Sequence, residues 1–352
     1  MTTKRIAFYL RSCGNLHYFA AIKPYLNYFV QANHHQVFLV VTQINEDCLQ
    51  NPEYAGFTHL FTTHCDLDSY DLVVTPSFLR PEERSDRTPA VQIFHGMSDK
   101  PFPYERDFSN YLLCLCVGQR QVDRLLQTPC NQTMQWTLIG YPKFDHPPTA
   151  APLFENNRKT IIYCPTWRKE NISSIEIFLD HTDVIAQLTQ DYNLIVKPHP
   201  NLFNPDRQFY DPSIVDRLQQ LQQLPNLKLI RSGNVMPWYA QSDLFIGDIS
   251  AAGYEWLYYN RPMLFLNPQP GVLQPSTDVA SMTYLWQCGP VCHDMRQLKS
   301  LVEANLAVDS YQTMRESLLH YSVFNPRDNQ ATQRGIAAIE RLLSRQPSMV
   351  HI

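Results

Sequence analysis

A histidine closes the apolar run VQIF at position 95, and Gly96 follows it at once. An imidazole at the end of a buried strand can exchange a proton near neutral pH. A hydrogen-bonded loop histidine beside a turn glycine would give the same pattern. Three further stretches put polar groups directly after apolar runs. In IIYCPTWRKE (161–170), Pro165 is followed by Thr166, Trp167, Arg168 and Lys169. The Arg168 guanidinium is a fork suited to phosphate, and Trp167 offers a flat apolar face. A solvated basic loop with an anchoring tryptophan is the plainer alternative. In LIVKPHPN (194–201), Lys197 precedes His199, which two prolines hold in a stiff turn. Such a frame suits one fixed contact, for example with a diphosphate oxygen; a structural turn with an incidental histidine is the alternative. In SDLFIGDISAAGYEW (242–256), an apolar run gives way to Gly247, Asp248, Ile249 and Ser250, then to small residues. Backbone N–H groups and the positive end of a helix dipole would meet there. Ser250, Ala251, Ala252 and Gly253 would let a diphosphate approach closely, and Glu255, one turn on, could reach a ribose hydroxyl. N-capping by Asp248 or Ser250 is the simpler reading, and it is compatible with phosphate binding. None of these is a Walker A loop or a dinucleotide fingerprint.

Positioning these groups is the task of alternating strands and helices. Apolar runs at 5–10, 36–41, 71–75, 90–94, 111–117 and 136–140 predict strands, with helices over 16–30 and 120–127. Pro24 would kink or divide the first helix. Residues 141–158 carry four prolines and no periodicity, which predicts a boundary. The pattern then restarts. Strands are expected at 159–165, 192–197, 226–230, 243–247 and 262–267, helices at 176–190, 211–224 and 250–259, and a mostly helical tail over 294–345. The reading is α/β with two doubly wound domains, 1–150 and 151–352. In such sheets ligands bind beyond the carboxyl ends of the strands, where all four polar stretches lie.

Composition narrows the classes. The chain has 352 residues, enough for two domains, and 18% are charged, an ordinary globular share. A net charge of −4 gives no chain-wide field for nucleic acid, so no nucleic-acid partner is expected. The nine cysteines form no CxxC pair, which argues against a zinc site and for free buried thiols in a reducing cytosol. No carboxylate cluster demands a metal. No apolar run reaches the ~20 residues of a membrane helix, so any membrane contact is expected to be peripheral. The segment LHYFAAIKPYLNYF is expected to face a core rather than a membrane surface.

The polar stretches, taken in order, resemble the CDP-glycerol glycerophosphotransferase family, whose members prime and polymerise teichoic acids and related capsule polymers. The matching stretches are FHGMSDK (94–100), YCPTWR (163–168), VKPHP (196–200), SDLFIGDISAAGYEW (242–256) with RPMLFLNP (261–268), and DNQATQRGIAAI (328–339). The resemblance implies a GT-B-like fold, two Rossmann-like domains facing a cleft, with no cofactor and no metal. It implies a CDP-alcohol donor held by the second domain and a glycolipid or polymer acceptor on the side of the first, in the cytoplasm or at the inner face of the cell membrane. His95 would match the proposed base of the family's HGT motif and His199 the histidine near the donor diphosphate. Arg168, Asp248 and Ser250 match further family positions. The expected site is thus His95 and His199 as catalytic residues, with Thr166, Arg168, Lys197, Asp248, Ser250, Ala251 and Glu255 binding donor and phosphate. Met97 replaces the family's HGT threonine, Ile249 a tyrosine and Ala251 a serine, and Pro198 displaces a basic residue. The rival readings are a sugar-nucleotide glycosyltransferase, a nucleotide-sugar epimerase or hydrolase, and a catalytically silent binding module. Lost hydroxyls at 97 and 251 favour the last; retention of His95, Arg168 and His199 opposes it.

Overall fold

In the computed structural model, residues 3–14, 16–44, 50–63, 66–167 and 172–344 are described. They form two compact units. The first holds residues up to Met97, Tyr104–His146 and those from Tyr321 onward; the second holds Ser98–Pro103 and Pro147–His320.

The first unit is built on strands β1 (Arg5–Ser12), β2 (Gln36–Gln43), β3 (Phe61–Thr62), β4 (Leu72–Thr75), β5 (Ala90–Ile93), β6 (Leu113–Cys116) and β7 (Trp136–Leu138), in the order β3-β2-β1-β4-β5-β6-β7. Every pairing is parallel. Parallel sheets are covered on both faces, so their strands read as unbroken apolar runs. In β1, Ile6, Phe8 and Leu10 enter one core while Ala7 and Tyr9 enter another, as the two-residue strand period requires. Helix Leu16–Ala32 covers the first of these faces with Phe19, Ile22, Tyr25, Leu26 and Phe29. It is one helix with Pro24 inside it, not two. LHYFAAIKPYLNYF is therefore largely core-facing.

The second unit uses β8 (Thr160–Cys164), β9 (Asn193–Val196), β10 (Leu227–Leu229), β11 (Leu244–Gly247), β12 (Met263–Leu266) and β13 (Val291–Cys292), in the order β10-β9-β8-β11-β12-β13. These pairings are also parallel. The helix expected over 176–190 is two helices, Ile175–Asp180 and Thr182–Asp191, broken at His181. In both sheets the strand order reverses at one place, between β1 and β4 and between β8 and β11. Crevices at such reversals are where doubly wound sheets bind ligands.

The tail differs from the expected grouping of 151–352 as one domain. From Tyr321 the chain packs on the first unit. Helix Ala331–Ser344 buries Ile336 and Ile339 in the β1 core, and both oxygens of Asp145 accept N–H bonds at its start, from Ala331 (3.0 Å) and Thr332 (2.7 Å). Gly335 is required there: a Cβ would come within 2.5 Å of the Tyr25 ring. Amphipathicity in the sequence shows that this helix must be covered, but not by which unit.

Cysteines Cys114, Cys116, Cys164, Cys288 and Cys292 are free and buried, and Cys130 is free and exposed. Cys13 departs from the expectation of free thiols, because it is disulfide-bonded.

Candidate functional site

The carboxyl ends of β9, β8 and β11, three neighbours in the second sheet, bring most of the expected residues together. At the reversal point between β8 and β11, Asp248 is a clamp. Its oxygens accept N–H bonds from Thr166 (3.0 and 3.1 Å) and Ser174 (2.9 Å), and the Ser174 hydroxyl donates at 3.0 Å. The carboxylate is 2% exposed. Burial raises its pKa to about 6, against the pull of the Ser174 and Thr166 N–H bonds and the Lys100 charge. Thr166 is held on its other side as well, since its Oγ1 accepts from Lys100 Nζ at 2.8 Å. Asp248 and Thr166 therefore face one another, and the carboxylate oxygens are turned to the loop after β8.

His199 ends the turn after β9. Its Nδ1 accepts the Asn201 N–H at 3.1 Å. An accepting Nδ1 leaves the proton of a neutral ring on Nε2, which is then a donor suited to an anionic oxygen. The Trp167 ring lies beside it, centroids 6.1 Å apart. Lys197 is 6% exposed and gives its backbone N–H to Tyr163 O at 2.8 Å. Arg168 lies outside the described residues.

After β11, Ser250 is the extended cap residue of helix Ala251–Trp256, yet its side chain makes no capping bond. Its Oγ is buried without a hydrogen-bond partner. An orphaned buried hydroxyl is uncommon and costly. Ala251 and Ala252 are half-buried. Gly253 plays a different part from the one expected. A Cβ on it would meet Leu285 Cδ2 at 2.4 Å, so its smallness serves helix-to-core packing rather than ligand approach. Glu255 is buried one turn into the helix, 7% exposed.

His95 lies in the first unit, just beyond β5. The Pro76 carbonyl, just after β4, is among the groups that bear on its ring. The Tyr18 ring stands edge-on to it, centroids 4.2 Å apart at 82°, and the His17 ring is 5.4 Å away. The Tyr141 hydroxyl donates to the His95 carbonyl at 3.3 Å. Burial holds the imidazole well below the ordinary histidine pKa of 6.5, and the His17 and Lys143 charges lower it further. The ring is thus held neutral, and a neutral imidazole carries a lone pair on one of its two nitrogens.

Several residues of these networks are invisible to motif reading. Lys100 is named above. Asp99 accepts from the Tyr254 hydroxyl (2.5 Å) and the Leu285 N–H (3.2 Å), tying Ser98–Pro103 into the second unit. Ser174 and Tyr163 share a hydroxyl bond of 2.8 Å behind Asp248. The stretch FHGMSDK contained Asp99 and Lys100, but only contacts distant in sequence give them roles.

Among the described residues no group of three or more metal-type ligands converges, and no helix is long and apolar enough to cross a membrane. Comparison with known proteins gives four findings. The family model of CDP-glycerol:poly(glycerophosphate) glycerophosphotransferase matches residues 16–341. The teichoic acid glycerol-phosphate primase of Bacillus subtilis (strain 168) is 24% identical over 187 residues, 53% of this chain and 45% of that protein, so the match spans less than half of the relative's length. Among solved structures, a CDPG-soaked variant of the wall teichoic acid polymerase TagF has a TM-score of 0.58 at 15% identity, covering 97% of this chain and 89% of that one. The Staphylococcus aureus MnaA–UDP co-structure has a TM-score of 0.63 at 14% identity, covering 97% of each chain. These likenesses establish a GT-B-like α/β fold.

Proposed function

The chain belongs to the CDP-glycerol:poly(glycerophosphate) glycerophosphotransferase family, and from that premise we propose that it transfers a polyol phosphate, glycerol phosphate in the first instance, from a CDP-alcohol to an acceptor hydroxyl in cell-surface polymer synthesis. The observation that carries the donor assignment is the partnerless Ser250 hydroxyl, on a strand end of the same sheet as the His199 Nε2 donor and Lys197. Hydroxyl, imidazole N–H and ammonium are the groups that hold diphosphate oxygens. Asp248 and Thr166 enter this account as the frame of the donor site rather than as its ligands. Arg168 would add a guanidinium, Ala251 close backbone approach and Glu255 a ribose contact.

In the proposed reaction the acceptor oxygen attacks the phosphorus bearing the polyol. Its proton passes to the unprotonated ring nitrogen of His95. The bond from that phosphorus to the bridging oxygen breaks, and CMP leaves with the bridging oxygen. Positioning and charge neutralisation supply most of the rate in phosphoryl transfer, and His199 and Lys197 would stabilise the departing phosphate. A glycolipid or growing polymer is the proposed acceptor, reached by peripheral contact with the inner face of the membrane. A general base contributes about 10²- to 10⁴-fold. His95→Ala is therefore expected to lose turnover by about that factor while its melting temperature and donor affinity hold. Normal turnover in His95→Ala would refute the assignment.

A further inference from the structure

In the first turn of helix Leu16–Ala32, Phe19 enters the core and Tyr18 packs at its edge, but core packing alone does not account for the rings of Tyr18 and His17 meeting His95. Phe19, Ile22, Tyr25, Leu26 and Phe29 are buried and fix the helix to the sheet. His17 is exposed and Tyr18 half-buried, and both rings are directed at His95. The Tyr141 hydroxyl holds the His95 backbone but not its ring, which leaves the imidazole free to rotate about its side-chain bonds unless something packs on it. A ring standing edge-on at 82° with centroids 4.2 Å apart blocks that rotation. It also displaces water from one side of the imidazole, which disfavours the charged form.

We propose that Tyr18, assisted by His17, is a positioning residue for His95: it sets the plane of the imidazole and so the direction of its free lone pair. This rests on the reading of His95 as the base. Tyr18 touches no reacting atom in this account and acts only through His95. The other groups facing that ring are the charges of His17, Lys143 and Arg106, the Pro76 carbonyl, and Tyr141, which grips the backbone of His95.

The test is a proton titration by NMR of the full chain carrying 13C-labelled histidine, with the His95 resonance assigned from its loss in His95→Gln. Tyr18→Phe keeps the ring and is expected to keep the wild-type titration and turnover. Tyr18→Leu is expected to move the His95 titration up toward about 6.5 and to lower kcat about 10- to 100-fold with CDP-glycerol affinity unchanged. A merely structural role would lower the melting temperature without moving the titration. Should Tyr18→Leu fail to fold, His17→Gln, at an exposed position, removes one of the charges that depress His95 and is expected to raise the same titration. An unchanged His95 titration in both Tyr18→Leu and His17→Gln overturns the proposal. Turnover that survives His95→Gln overturns the base assignment itself, whatever the titration shows.

Discussion

Replacement of Ser250 by alanine separates two roles with opposite signs. If the hydroxyl capped helix Ala251–Trp256, its loss would cost the free protein about 0.5–2 kcal/mol. The structure gives it no capping bond and no other partner, although the atom is buried. A desolvated hydroxyl without a partner is a liability of about 1–3 kcal/mol. Part of that is recovered on removal and part is lost to the void left behind. The expected result for Ser250→Ala is a free protein as stable as the wild type or more stable, by up to about 1 kcal/mol. For a unit of this size that is a rise in melting temperature of up to roughly 2–4 °C. Donor binding should respond in the other direction. A hydroxyl bond to a charged phosphate oxygen is worth about 1.5–3 kcal/mol, which is roughly a 10- to 150-fold weaker Kd. Thermal unfolding without ligand and calorimetric titration with CDP-glycerol read the two effects independently. A lower melting temperature with an unchanged Kd would refute the reasoning and return Ser250 to a capping role.

Other substitutions test other parts of the account. His199→Ala should weaken CDP-glycerol binding by a similar 10- to 150-fold, through loss of one charge-assisted bond, and calorimetry would show it; losing the Nδ1 bond to the Asn201 N–H should also lower the melting temperature modestly, as loss of a cap of about 0.5–2 kcal/mol does. Because His95 is held below 6.5, the acidic limb of the kcat profile should fall below that value. Between the folded value and 6.5 the unfolded chain binds more protons, so stability should decline as pH drops below 6.5, and denaturation of His95→Gln across that window should show a flatter decline. A Cβ at Gly118 would lie 2.1 Å from the Ser322 carbonyl oxygen, where only backbone could yield. Undocking the tail would expose Ile336 and Ile339 at about 1.5–3 kcal/mol each, more than the roughly 1–3 kcal/mol of overpacking. Gly118→Ala should therefore lower the melting temperature while protease leaves the returning tail intact.

The strands were legible in the sequence because buried parallel strands are unbroken apolar runs, as in IIYC, NLIV and MLFL. The helix starting at Ile175 was legible in extent but not in its break at His181, where the pattern continues through the interruption. The two-residue strands β3 and β13 are too short to carry a period. The return of residues 321–344 to the first unit was not legible, since Ile336 and Ile339 announce a buried face without naming its partner. Strand-end histidines and small residues were found because a turn residue following an apolar run leaves a local trace. The clamp at Asp248 was not legible, because an aspartate before a helix gives no sign that Thr166 and Ser174, more than seventy residues earlier, donate to its oxygens. Tyr18 and His17 left no trace at all, since only the neighbouring ends of β1, β4 and β5 bring them to His95.

The central claim is the donor and the reaction. Release of CMP from CDP-glycerol, measured with an acceptor preparation from cell-wall membranes and set beside CDP-ribitol and CMP-, UDP- and GDP-linked sugars, tests it most directly. The account predicts acceptor-dependent release from the CDP-alcohol, lowered about 10- to 150-fold in His199→Ala at subsaturating donor, and none from the sugar nucleotides. Turnover of a uridine or guanosine sugar nucleotide, with CDP-glycerol inert, would contradict it.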